Sequence, residues 1–140
     1  MNAVPTCAAC GRPFHRPSRS AAQNSTYWQF LTDLQGTQIL EWAGHEKAWW
    51  HTFMKAEFLV DIYTRDDPGY AEMMLTVRDL KDVDGHQAIV DGIIALTSTA
   101  QASVAQFSEY LACIERWAHS RGISLRTDSG IYLAACGDFS

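Results

Sequence analysis

Apolar residues recur at helical spacing in five stretches of the chain, and nowhere do they alternate long enough to build a convincing strand. The first stretch opens at Ser20-Ala21-Ala22-Gln23, a capping box in which serine and glutamine each satisfy the other's end of the first turn. Tyr27, Phe30, Leu31 and Leu34 follow, and Gly36 is a natural stop. The spacing predicts a second helix from about Gly44 to Leu59, where Trp49, Trp50, Phe53, Met54, Phe58 and Leu59 make an unusually broad apolar face. Asp67-Pro68, a cap followed by proline at the first helical position, starts a third helix whose inner stripe is Tyr70, Met73, Met74, Val77 and Leu80. A fourth spans roughly Asp84 to Ala95, with Ile89, Val90, Ile93 and Leu96 inward and Gly92 weakening it from within. The fifth begins at a second capping box, Ser103-Val104-Ala105-Gln106. It sets Val104, Phe107, Leu111, Ile114 and Ala118 on one face and stops at Arg121-Gly122.

This pattern predicts a mainly α protein: a compact bundle of about five helices over 20–140, with connections short enough for antiparallel packing. Residues 1–19 precede it as a short irregular segment punctuated by Pro5, Pro13 and Pro17. Ile131-Tyr132-Leu133 in the tail reads as a strand or one helical turn, so an α+β fold with a small sheet is the alternative.

Composition narrows the class. The 140 residues suit one domain; 47% are hydrophobic and 19% charged, enough for a core and too few charges for a disordered tail. No apolar run approaches the ~20 residues of a membrane span, and no basic-then-apolar leader opens the chain, so the expected location is the cytoplasm. Net charge is −5, which disfavours holding nucleic acid by charge alone. Its distribution is uneven. Residues 1–20 carry Arg12, Arg16 and Arg19 without an acid, for +3, while the other 120 hold 8 bases and 16 acids, for −8. An anion-binding surface is therefore expected near the N-terminal segment.

Four cysteines in such a chain point to thiols or metal ligands before disulfides. Cys7-x2-Cys10-Gly11 is the turn shape in which two thiolates share a zinc, and His15 extends it to the first three ligands of a zinc knuckle. The fourth knuckle position is Ser20, a poor ligand, which leaves Cys113, Cys136 or a distant histidine to complete the site. The bland alternative is a frayed N-terminus with two free thiols. No Gly-x-Ser-x-Gly, P-loop, His-Glu-x-x-His or dinucleotide fingerprint is present. His45, His51, His86 and His119 are scattered without ligand spacing, and Asp66-Asp67 and Asp82-x-Asp84 sit beside helix starts, where acids favour the dipole. The residues therefore do not suggest an enzyme.

The tryptophans are more informative. Trp28, Trp42, Trp49 and Trp50 lie within 23 positions. Indoles stack on unpaired bases, each worth ~1–3 kcal/mol, and Arg16 and Arg19 nearby could hold phosphate. Trp49 and Trp50 read as core. Trp28 falls about 100° round its helix from the inward residues, on a flank that also carries Asn24.

Arg19-Ser20-x-x-Gln23-Asn24-x-x-x-Trp28 resembles the signature segment of the lambdoid phage recombination proteins called NinB or Orf. Glu41-Trp42 with Trp49 and Phe53 resembles the family's next segment. Ser98-Thr99, Val104-x-x-Phe107-x-Glu109 and the run to Arg121-Gly122 resemble its C-terminal helix. The matches are collinear over roughly 18–125. The resemblance implies a homodimer of phage or prophage origin in the host cytoplasm that binds single-stranded DNA in preference to duplex. It also implies an accessory factor that assists recombinase loading on DNA coated by the host single-strand-binding protein, without breaking covalent bonds. Its glutamine and tryptophan fall on Gln23 and Trp28, and its arginine on Arg19.

The expected DNA-binding set is thus Arg16, Arg19, Gln23, Asn24 and Trp28, and the expected zinc ligands are Cys7, Cys10 and His15. The aromatic face of the 44–59 helix exceeds what one core of this size should cover, which also favours a homodimer. Two alternatives compete: a small metal-dependent nuclease with a structural Cys-x2-Cys, and a protein-interaction module acting on a host protein through the acidic body.

Overall fold

In the computed structural model, residues 20–126 are described, and among them the chain is helical with no strand. The elements are α1 (Ala21–Gln35), α2 (Lys47–Met54), a π-helix (Lys55–Leu59), α3 (Val60–Asp66), α4 (Pro68–Asp79), α5 (His86–Leu96), a 3-10 turn (Thr99–Gln101) and α6 (Val104–Ser120). Since α2, the π-helix and α3 run on without a break, the bundle has the five helical rods expected.

Both capping boxes form. Ser20 Oγ accepts from Gln23 N at 3.1 Å while Gln23 Oε1 accepts from Ser20 N at 2.9 Å, and Ser103 and Gln106 repeat the arrangement at α6. Asp67 caps α4, its Oδ1 accepting from Gly69 N and Tyr70 N, with Pro68 at the first position. Gly122 takes φ 78° just past α6, the left-handed geometry that ends a helix cheaply only with glycine.

The second rod differs from its expected bounds. It starts at Lys47, where Gln35 Oε1 accepts the Lys47 N–H, and continues past Leu59 to Asp66. The buried residues explain why. Trp50 and Met54 are four apart, Leu59 comes five later, and Ile62 and Tyr63 resume ordinary spacing. A regular α-helix would rotate Leu59 off the core; the wider π turn absorbs the extra residue and keeps the stripe inward. Lys55 opens that turn buried, with Nζ donating to Thr97 O at 2.9 Å, and burial pulls its pKa below the ordinary lysine value.

The rod runs antiparallel to α1 and α6. Tyr27 meets His51 at one level, and Trp50 and Phe53 meet Trp117 at another. At its far end Arg65 reaches Glu109 and Gln106 reaches Asp66. The core between the three rods holds Tyr27, Phe30, Leu31, Leu34, Trp50, Met54, Phe107, Tyr110 and Ile114, all fully buried.

Two expectations about apolar faces are corrected. The aromatic face of the second rod is not left over for a partner. Trp50 is fully buried, and the half-buried Trp42 packs on Trp50, Phe53 and Trp117 at centroid distances of 6.0, 5.7 and 4.9 Å. The inward stripes of α4 and α5 are largely uncovered instead. Val77 is the buried residue of α4, and α5 buries none. No helix among the described residues is long and apolar enough to cross a membrane.

Candidate nucleic-acid interface

Of the residues expected to bind DNA, Gln23, Asn24 and Trp28 lie in the described part, and Arg16 and Arg19 lie outside it. So do the expected zinc ligands Cys7, Cys10 and His15, along with Cys136 and the Ile131–Leu133 run.

Gln23 is not a surface residue. Its side chain is fully buried, Oε1 closes the α1 cap, and Nε2 donates to Val104 O at 3.0 Å. Each polar atom of the amide is therefore engaged, and freeing it for a nucleotide would leave buried donors and acceptors unpaired. Its role is to lock the start of α1 against the start of α6. The capping box visible in the sequence accounts for half of that role, and the contact to Val104, 81 residues away, for the rest.

Trp28 stands where the helical spacing places it. It keeps 43% of its surface exposed, and Asn24, half-buried, sits one turn earlier on the same flank. One face of the indole rests on the imidazole of His51, with ring centroids 6.0 Å apart and planes 21° from parallel. Tyr27 touches it at a tilted 60°. No other ring lies against Trp28 among the described residues. Thr32 Oγ1 donates to Trp28 O at 2.9 Å and helps hold the helix backbone there.

His51 is the site residue that sequence reasoning missed. It comes from the second rod, and Nδ1 shares a hydrogen bond of 2.5 Å with Tyr27 Oη. Tyr27 Oη in turn lies 3.1 Å from Tyr110 Oη, deep in the core. A chain of polar atoms therefore runs from α6 through α1 to the ring beneath Trp28. A separation of 24 residues between Tyr27 and His51 leaves no local spacing by which to find it.

Trp49 is the contrasting case. It too is partly exposed, at 38%, yet it stacks parallel to His45 at 3.5 Å and to Phe53 at 5.0 Å, each 10° from coplanar. With two rings already stacked against it, Trp49 has less free face to offer a base than Trp28.

Of the two carboxylate pairs, Asp66 and Asp67 have structural partners. Asp66 accepts from Arg65 Nε and Nη2 and from Gln106, and Asp67 caps α4. Among the described residues no group of three or more His, Cys, Asp or Glu side chains could hold a metal ion. Cys113, one of the possible fourth zinc ligands, lines an open cleft of about 270 Å³ with Phe58, Arg116, Trp117 and Ser120. Burial raises its thiol pKa, and Arg116 Nη2 donates to Sγ at 3.5 Å, a cationic surrounding poorly suited to a second cation. Arg121 covers the Trp117 ring at 4.5 Å. Compared with protein-family models, with curated proteins and with solved structures, the chain matches none.

Proposed function

We propose that this protein binds single-stranded DNA as a homodimeric accessory factor in phage or prophage recombination, in the cytoplasm of the host, without cleaving the strand. The observation that supports this reading best is the Trp28 platform: an indole backed on one face by His51 and open to solvent. A base that stacks on a ring already fixed from behind forfeits little side-chain entropy. Asn24, one turn earlier, offers an amide for a sugar, phosphate or base edge. Arg16 and Arg19 precede α1 by a few residues and supply the cations of the proposal. The reading also draws on the resemblance of residues 18–125 to the NinB or Orf family, which adds recombinase loading on strands coated by single-strand-binding protein.

The charge balance predicts the affinity class. Three arginines ahead of residue 20 neutralise about three phosphates per chain, for a salt slope near −2 at ~0.7 per single-strand contact. Binding should therefore be modest and weaken steeply with salt. Anisotropy titrations of labelled single-stranded and duplex oligonucleotides at several salt concentrations test the reading. Equal affinity for the two forms, or none for either, would overturn it. Zinc held by Cys7, Cys10 and His15 extends the proposal, and elemental analysis of chain purified without chelator decides that part.

A further inference from the structure

Between the π-helix and the C-terminal half of α6 lies the open cleft of about 270 Å³ lined by Phe58, Cys113, Arg116, Trp117 and Ser120. The four α6 residues stand three or four apart along one stripe of that helix, and Phe58 comes from the second rod. The lining is apolar where Phe58 is half-buried and Trp117 buried, and burial pushes the Cys113 thiol up, so it adds no negative charge. Two guanidiniums flank this surface. Arg116 is exposed and spends one donor on Cys113 Sγ. Arg121 rests on the Trp117 ring at 4.5 Å, and its Nη1 donates to Ser120 Oγ at 2.8 Å. Ser120 Oγ in turn donates to Trp117 O at 2.7 Å, which fixes the Arg121 contact to the end of the helix. Neither arginine has a carboxylate partner among the described residues.

The other six bases after residue 20 are placed differently. Lys55 is buried on Thr97 O, Arg65 is clasped by Asp66 and Glu109, and Arg126 by Asp33. Arg78 and Lys81 stand among Asp79, Asp82 and Asp84, and Lys47 follows Glu46. In an acidic body, two cations without carboxylate partners beside an aromatic cleft mark where an anion is received. Cations at the end of α6 also favour its dipole, but that effect requires no cleft. The volume lies just below the ~300 Å³ at which pockets for whole small ligands begin, so it suits one unit of a polymer.

We propose that this cleft takes one nucleotide of a bound single strand, its phosphate on Arg116 and Arg121 and its base against the Phe58 ring. This deepens the reading above and rests on it. His51 beneath Trp28 and Phe58 in the cleft are seven residues apart on one rod, about 10 Å along it and no more than a helix diameter across, so one strand can reach both. Two further phosphate contacts raise the count from about three to about five per chain and steepen the salt slope from near −2 to about −3.5.

Salt-titrated binding of a labelled oligothymidylate to the full chain tests this, with Arg116→Gln/Arg121→Gln and Arg116→Lys as variants. The double variant should flatten the slope by about 1.4 with helix content unchanged, and Arg116→Lys, which keeps the charge, should hold the wild-type slope. Cys113 gives the cleft its own readout, as alkylation by N-ethylmaleimide mapped by mass spectrometry. The oligonucleotide should slow that alkylation several-fold in the wild type and not in the double variant. Equal slopes, or a Cys113 that reacts as fast with the strand bound as without it, would overturn the proposal. So would equal protection by thymidine monophosphate at the same concentration, which would make this a site for free nucleotides, or protection by an Asp-rich peptide where the strand gives none. A Trp28→Ala chain that binds as the wild type does, with Cys113 still protected, removes the platform and leaves the cleft. A wild type that neither binds the strand nor protects Cys113 overturns both.

Discussion

His51 lies under Trp28, with ring centroids 6.0 Å apart and planes 21° from parallel, and its Nδ1 shares a hydrogen bond with the buried hydroxyl of Tyr27. The exposed ring is thereby built onto a core that spans α1, the second rod and α6. Its two nearest ring neighbours come from its own helix and from the next one.

That relationship separates two partly exposed tryptophans. Trp28→Ala should cost about 1–3 kcal/mol in single-strand affinity and about 1 kcal/mol of stability, the smaller share because the ring has fewer packed neighbours than Trp49. Trp49→Ala should leave affinity intact and lose about 1–3 kcal/mol of stability from a filled aromatic stack. Oligonucleotide titration and thermal melting of both variants check this. A large melting loss at Trp28 with unchanged binding would place it among the structural residues.

Thr26 is almost wholly buried in α1, and its hydroxyl has no hydrogen-bond partner among the described residues. Thr26→Val keeps the shape and removes the unpaired polar atom, so it should raise stability by about 1 kcal/mol. Urea unfolding measures it, and a destabilised variant would show that the hydroxyl is satisfied in solution.

Arg65 clasps Asp66 and Glu109 together, with Gln106 also donating to Asp66. The Arg65 and then the Gln106 hydrogen bonds hold the Asp66 carboxyl down at about 2, below its ordinary 3.8. Because the folded value is the lower one, the stabilisation is complete above pH 4. It fades as pH falls from there through about 2. Melting temperature should drop across that window in the wild type. In Arg65→Ala the drop should be shallower, and identical slopes would sink the assignment.

Arg126 is tied to Asp33 through its backbone N–H and its guanidinium, and Gln29 Nε2 donates to its carbonyl. Asp33→Ala should speed tryptic cleavage after Arg126 several-fold while costing no more than about 1 kcal/mol of global stability, as an ion pair at the surface does. Time-resolved digestion with mass spectrometry reads both sites and rates.

What the sequence by itself determined was local. Ser20 with Gln23, Asp67 with Pro68, Ser103 with Gln106 and the glycine after Arg121 placed helix ends, because capping acts within one turn of the chain. The flank of Trp28 was legible for the same reason: it follows from 3.6 residues per turn and the positions of Tyr27, Phe30 and Leu31. Tertiary structure decided whatever depends on two elements meeting. Gln23 read as both a helix cap and a DNA-binding amide until its burial and its bond to Val104 O took up the remaining donor, and the helix expected to end at Leu59 ran on because a π turn repaired its register against the core. The broad aromatic face became interior because Trp42 and Trp117 folded over it, leaving α5, whose stripe looked equally inward, as the uncovered one. Periodicity marks which side of a helix is apolar. Which of several apolar sides finds a partner within the chain is set by how the helices are connected and packed, and that information is not local.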